Sequence, residues 1–66
     1  MRTRTFRIVR WVPAEKKFEH VGDPFWDLAR ARKRSAIERL QDPEGQFAIF
    51  DQDGNMVEDE AGKLVA

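Results

Sequence analysis

The stretch Thr3–Val12 constrains this chain more than any other. Its uncharged positions are all β-branched or aromatic, and they divide by parity into Phe6, Ile8 and Val12 on one side and Val9 and Trp11 on the other. Successive side chains of a strand point to opposite faces, so this strand is apolar on both. Any fold built on it has two faces to cover. The chain has 66 residues, enough for one small core, since a domain of about 60 residues buries only about 60% of the surface its unfolded chain exposes.

The segments that follow supply a limited set of covers. Pro13-Ala14-Glu15-Lys16 places Pro where a turn wants φ near −65°, and Lys17-Phe18-Glu19-His20-Val21 alternates again, which predicts a β-hairpin ended by Gly22. Asp23-Pro24 is a capping carboxylate followed by Pro at a first helical position, and Pro43 with Gly45 marks a stop, so one helix is expected over Pro24 to Gln41. At about 100° per residue, Phe25, Trp26, Ala29, Ala36, Ile37 and Leu40 gather within about a third of the circumference and form the expected core face. Lys33 lands near the centre of that stripe, where a continuous helix has to snorkel its ammonium outward. The alternative is a break, since Ser35-Ala36-Ile37-Glu38 fits a capping box for a second helix.

Gln46 to Phe50 predicts a third strand, Asp53-Gly54 a hairpin turn, and Met56 to Glu58 a short fourth strand. The expectation is therefore an α+β fold, a small β-β-α-β-β domain with a mostly antiparallel four-stranded sheet and one helix packed on one face. It covers residues 1–60 as a single domain, with 61–66 as a flexible C-terminal tail. Phe6, Ile8, Phe18, Phe47 and Ile49 share a parity and are assigned to the helix-covered face. Val9, Trp11, Val21 and Phe50 are left on the other.

Charge adds a second pattern. The chain is formally neutral, yet residues 1–40 carry eleven Lys/Arg against five Asp/Glu and residues 41–66 carry one against seven. Such a division serves either two halves that fold against each other or two faces for different partners.

Most chemistry is excluded by what the residues lack. Without cysteine there is no disulfide, thiolate nucleophile or cysteine-ligated metal site. His20 is the only imidazole, and no second His or Cys completes a transition-metal site. Asp51-Gln52-Asp53-Gly54-Asn55 invites a calcium reading, but the Gly at position six and the Glu at position twelve of an EF-hand loop are missing. No metal or cofactor is expected, and the scarcity of hydroxyl nucleophiles (Thr3, Thr5, Ser35) argues against an enzyme. Arg32-Lys33-Arg34-Ser35 resembles a basophilic phosphorylation site, a pattern common on solvated helices. With no apolar run long enough for a signal peptide or membrane span, a cytoplasmic protein is expected.

Two functions compete. The first is a non-enzymatic protein-binding module, whose partner or second copy docks on an exposed aromatic sheet face made of Arg7, Val9, Trp11, Val21 and Phe50. The second is nucleic-acid binding through the basic N-terminal strand and helix, using Arg2, Arg4, Arg30, Arg32, Lys33 and Arg34. On the helical wheel these cations are dispersed around the circumference, which weakens the second reading. Mimicry of a polyanion by the acidic stretch Asp51 to Glu60 is a third, more distant possibility.

Overall fold

The computed structural model describes residues 4–65. The doubly apolar segment becomes strand β1 (Phe6–Val12), with β2 (Lys17–His20), helix α1 (Leu28–Gln41), β3 (Phe47–Asp51) and β4 (Met56–Glu58) following in chain order. The sheet order is β2-β1-β3-β4 and every pairing is antiparallel. The expected α+β fold is present, with a single helix. Since β2 and β3 both run against β1 and flank it, they run parallel to each other. The link between them has to cross the face of the sheet, and this places α1 over one side.

The helix begins later than the Asp23-Pro24 signal suggests. Phe25 is extended and exchanges two backbone hydrogen bonds of 2.7 Å with Phe6, and these hold Pro24–Trp26 out of helical geometry. Asp27 then caps α1 in extended conformation, its carboxylate accepting the Ala29 N–H at 3.1 Å. The helix runs unbroken through Ser35, so the capping-box alternative is not used. Ser35 is instead fully buried, which also withdraws it as an accessible phosphorylation site, and its Oγ meets no hydrogen-bond partner among the described residues.

The helix is also rotated relative to the expected stripe. Phe6, Ile8, Phe47 and Ile49 form the core with Ala31, and Val21, Phe25, Leu28 and Val57 pack around them. Of the residues assigned to the core stripe only Phe25 joins it. Ala29 and Ala36 are exposed, and Trp26, Ile37 and Leu40 are 70%, 37% and 81% exposed. Two causes favour the observed rotation. Ala31 and Ser35 are small and let the helix approach the sheet closely, whereas the expected rotation drives Lys33 into the core, and desolvating an unpaired ammonium costs several kcal/mol. The rotation also aims Arg32 and Arg39 at Glu58 of β4, which is 2% exposed. Arg32 Nε donates to it at 2.7 Å and Arg39 Nη1 at 3.0 Å, while Arg39 Nη2 reaches the carbonyls of Phe47 and Asp59.

That network answers part of the charge question. Arg32–Glu58 and Arg39–Glu58 join the basic first part of the chain to the acidic last part, as do Arg10–Asp42 at 3.2 Å and Arg4–Asp51 at 3.8 Å. Four of the six ion pairs among the described residues cross the division. Part of the split is therefore paired within the chain.

Two turns at the C-terminal end share one geometry. Asp51 accepts the N–H groups of Asp53 and Asn55 on Oδ1, and Gly54 sits at φ 83°. Asp59 accepts those of Ala61 and Lys63 in the same way, with Gly62 at φ 84°. In each, an Asp side chain closes a three-residue hairpin loop whose last position needs the left-handed conformation that glycine adopts without strain. The second turn sends residues 61–65, expected as a flexible tail, back along β4. There Leu64 bridges Glu58, and the Val65 N–H donates to the Val57 carbonyl at 2.8 Å.

Candidate protein-binding face

The side of the sheet away from α1 is built by register. The four-residue loop Pro13–Lys16 pairs Val12 with Lys17, and this sets Trp11 opposite Phe18 and Val9 opposite His20. Side chains of directly paired residues share a face. Phe18 therefore lies with Trp11 on the open face, not on the helix side to which parity assigned it. By the same alternation Val21 turns to the helix side, where it packs against the core. The Val21 N–H bonds to the Ile8 carbonyl, so Trp11–Phe18 falls at a non-hydrogen-bonded position, where cross-strand side chains come closest.

The consequence is an aromatic row across three strands. Trp11 and Phe18 meet edge to face with centroids 5.1 Å apart, and Phe18 and Phe50 are 5.3 Å apart at 55°, both within the favourable range for ring pairs. Beneath the row, Val9 is 3% exposed and Ala48 is fully buried. The rings themselves remain half-buried.

Beside the row is an open cleft of about 290 Å³ whose lining includes Arg7, Val9, Phe18, His20 and Phe50. Arg7 Nη1 lies 3.3 Å from His20 Nδ1, so Nδ1 accepts from the guanidinium and the ring proton of a neutral His20 is on Nε2. Asp51 and Gln52 close one end. The Asp51 carboxyl is held below its ordinary value of 3.8, chiefly by the backbone N–H of Asn55; partial burial opposes this, and the Asp53 N–H and the Arg4 charge add to it.

Of the five residues assigned to this face from sequence, Arg7, Val9, Trp11 and Phe50 lie on it. Val21 lines a separate hollow of about 440 Å³ between the β2–α1 connection and Arg34 and Glu38. Phe18 and His20 were missed, and the signal that identifies them is loop length: a four-residue loop fixes the register and hence the facing parity of β2.

The residues proposed for nucleic acid do not converge. Arg2 lies outside the described residues. Arg4 is paired with Asp51, Arg32 with Glu58, and Arg34 with Glu38 at 2.9 Å. Arg30 and Lys33 have no ion pair among the described residues and point away from the sheet on α1. Among the described residues no group of three or more His, Cys, Asp or Glu is placed to hold a metal ion, and no helix is long and apolar enough to cross a membrane. Comparison with known proteins finds no family model, no curated protein and no solved structure that matches this chain.

Proposed function

We propose that this chain is a small non-enzymatic protein-binding module that engages its partner through the open face of the sheet. The observation that carries the reading is the cleft beside the aromatic row. At about 290 Å³ it falls at the lower edge of the roughly 300–1,000 Å³ typical of small-molecule pockets, a size suited to one inserted side chain. Its apolar walls are Phe18 and Phe50, and Arg7 stands at the rim to meet a carboxylate of the partner. A pocket flanked by aromatics and an arginine is where interface energy concentrates. Nucleic-acid binding draws less support, because Arg4, Arg32 and Arg34 already spend their charge on carboxylates of the same chain.

The test is a photoreactive side chain introduced at His20 in the native host. It should cross-link to a discrete protein, a product of twice the monomer mass identifying a second copy. Arg7→Glu should abolish that product without changing the melting temperature. A product that persists in Arg7→Glu, or forms equally from a photoreactive group at the remote Glu44, overturns the reading.

A further inference from the structure

The two edges of the sheet are finished differently. Beyond β4 the chain turns back, so that Leu64 and Val65 occupy that edge. The outer edge of β2 has no strand beside it among the described residues. The bond from the Val21 N–H to the Ile8 carbonyl, together with the register, sets Lys17, Glu19 and Val21 as the residues that hydrogen-bond to β1. The N–H and C=O groups of Phe18 and His20 therefore point out of the sheet, and a row of such groups is a template for another strand.

Arg7 brings charge to this edge. It belongs to β1, but its Nη1 lies 3.3 Å from Nδ1 of His20, so the guanidinium reaches over to the edge strand. Arg7 and Glu19 have no ion pair among the described residues, and Lys17 has an exposed one with Glu15 at 3.6 Å. An added strand lies about 4.8 Å away, and its residue opposite His20 shares the open face. A carboxylate there is within reach of Arg7.

The same charges argue against a second copy. Only the outward groups of Phe18 and His20 can bond to it, so an antiparallel pair of β2 strands centres on one of the residues Lys17 to His20. Centred on Lys17 it sets Lys17 against Lys17, on Glu19 it sets Glu19 against Glu19, and on His20 the two Arg7–His20 contacts meet. Centred on Phe18 it matches Lys17 with Glu19 but carries Lys16 to His20 and Arg7. Every register brings like charges together, which disfavours that partner.

We infer that the partner of the open face is another protein, bound as an extended strand added antiparallel to β2, with an acidic residue opposite His20, a basic one opposite Glu19, an aromatic one opposite Phe18 and an acidic one opposite Lys17. The inference rests on the open-face reading and adds to it the partner's conformation and register. Main-chain bonds to Phe18 and His20 give affinity in this mode, and the alternate side chains give specificity.

The experiment titrates the ¹⁵N-labelled full chain with a short synthetic peptide centred on Glu-Lys-Phe-Glu, and with a control in which each charge is reversed. The first peptide should bind about tenfold or more tighter, since three cross-strand charge pairs change sign, and it should slow amide exchange at Phe18 and His20. Methylating the backbone nitrogen of its Phe, which faces Phe18, should weaken binding about tenfold, whereas methylating that of its Lys, which faces outward, should change it far less. Arg7→Glu should weaken binding of the first peptide.

Equal affinity for the two charge patterns, or an equal effect of the two methylations, overturns the inference. So does absence of binding, the His20 cross-link then deciding the open-face reading alone. Binding that shifts the amides of Arg7, Val9 and Phe50 while Phe18 and His20 stay unprotected overturns the inference and leaves the open-face reading standing. Protection of both amides in a complex that Arg7→Glu does not weaken overturns the two together. A dimer of the peptide-free protein that Lys17→Glu dissolves in sedimentation names a second copy as the occupant and also overturns the inference.

Discussion

The two faces of this sheet are closed by different physics. On the helix side, Ala31 joins Ile8 and Ile49 in the core, Ser35 is buried beside it on α1, and a buried carboxylate, Glu58, is clamped at the margin between Arg32 and Arg39. On the open side, three rings lean on one another above Val9 and Ala48, and Arg7 contacts His20 in the cleft beside them. The first closure is directional and fails if one group is removed. The second rests on area, which is non-directional and degrades gradually. The difference teaches how α1 chose its rotation. Its broadest apolar stripe faces out, because the opposite rotation sacrifices the Glu58 clamp and buries Lys33.

The largest effect should separate the two closures directly. Glu58→Ala leaves Arg39, only a quarter exposed, without its counter-charge. Breaking a buried pair from one side costs about 3–5 kcal/mol, and because Arg32 is free to turn toward water the low end, about 3 kcal/mol, is expected. Phe50→Ala on the open face removes a half-buried ring and should cost about 2 kcal/mol, less than the loss for a fully buried Phe. Against a total stability of about 5 kcal/mol for so small a domain, Glu58→Ala should show a substantial unfolded population in urea titrations followed by far-ultraviolet circular dichroism. A larger loss for Phe50→Ala than for Glu58→Ala breaks the comparison.

A smaller effect of opposite sign comes from the helix side. Ser35 carries a buried hydroxyl without a partner among the described residues, and Ser35→Ala removes that burden while adding a better helix former. The expected gain is about 1 kcal/mol, or a rise in melting temperature of about 5 °C. A fall in melting temperature means that the hydroxyl has a partner in solution and that the close approach of α1 is polar in part.

How much of this was legible follows from the same contrast. Period-two alternation and the Asp53-Gly54 turn were enough for the strands, because both signals are local. The face of β2 was not, since parity in an isolated strand says nothing until the loop fixes the register, and this misplaced Phe18 and Val21. The helix stripe misled for a different reason. Amphipathicity assumes that apolar residues decide which side faces in, whereas here Arg32, Arg39 and Glu58, distant in sequence, outweigh Ile37 and Leu40. Lys33 at the centre of the stripe was the warning. Residues 59–65 were unreadable as structure because Asp59-Glu60-Ala61-Gly62-Lys63 does not look like a hairpin turn until it is set beside Asp51-Gln52-Asp53-Gly54-Asn55.

The smallest effect concerns Asp51, which ends β3 opposite Phe6, the residue whose ring lies 5.1 Å beneath the Arg4 guanidinium. Its carboxyl is held below 3.8 in the folded chain, first by the Asn55 N–H. A group whose folded pKa is depressed stabilises the fold above its unfolded pKa and loses that contribution as pH falls through the folded value. Asp51→Asn keeps an oxygen acceptor for the N–H groups of Asp53 and Asn55 but removes the charge, so it isolates the electrostatic part. Above pH of about 4 the native chain should be the more stable of the two, and below it the two stabilities should converge, as followed by urea midpoints from neutral to strongly acid pH. Because Arg4 reaches Asp51 at 3.8 Å and is mostly exposed, added salt should narrow the gap at neutral pH only slightly, the backbone N–H groups being the larger cause. Parallel stability curves across the whole range would show that the turn is held by hydrogen-bond geometry alone, with no contribution from the Asp51 charge.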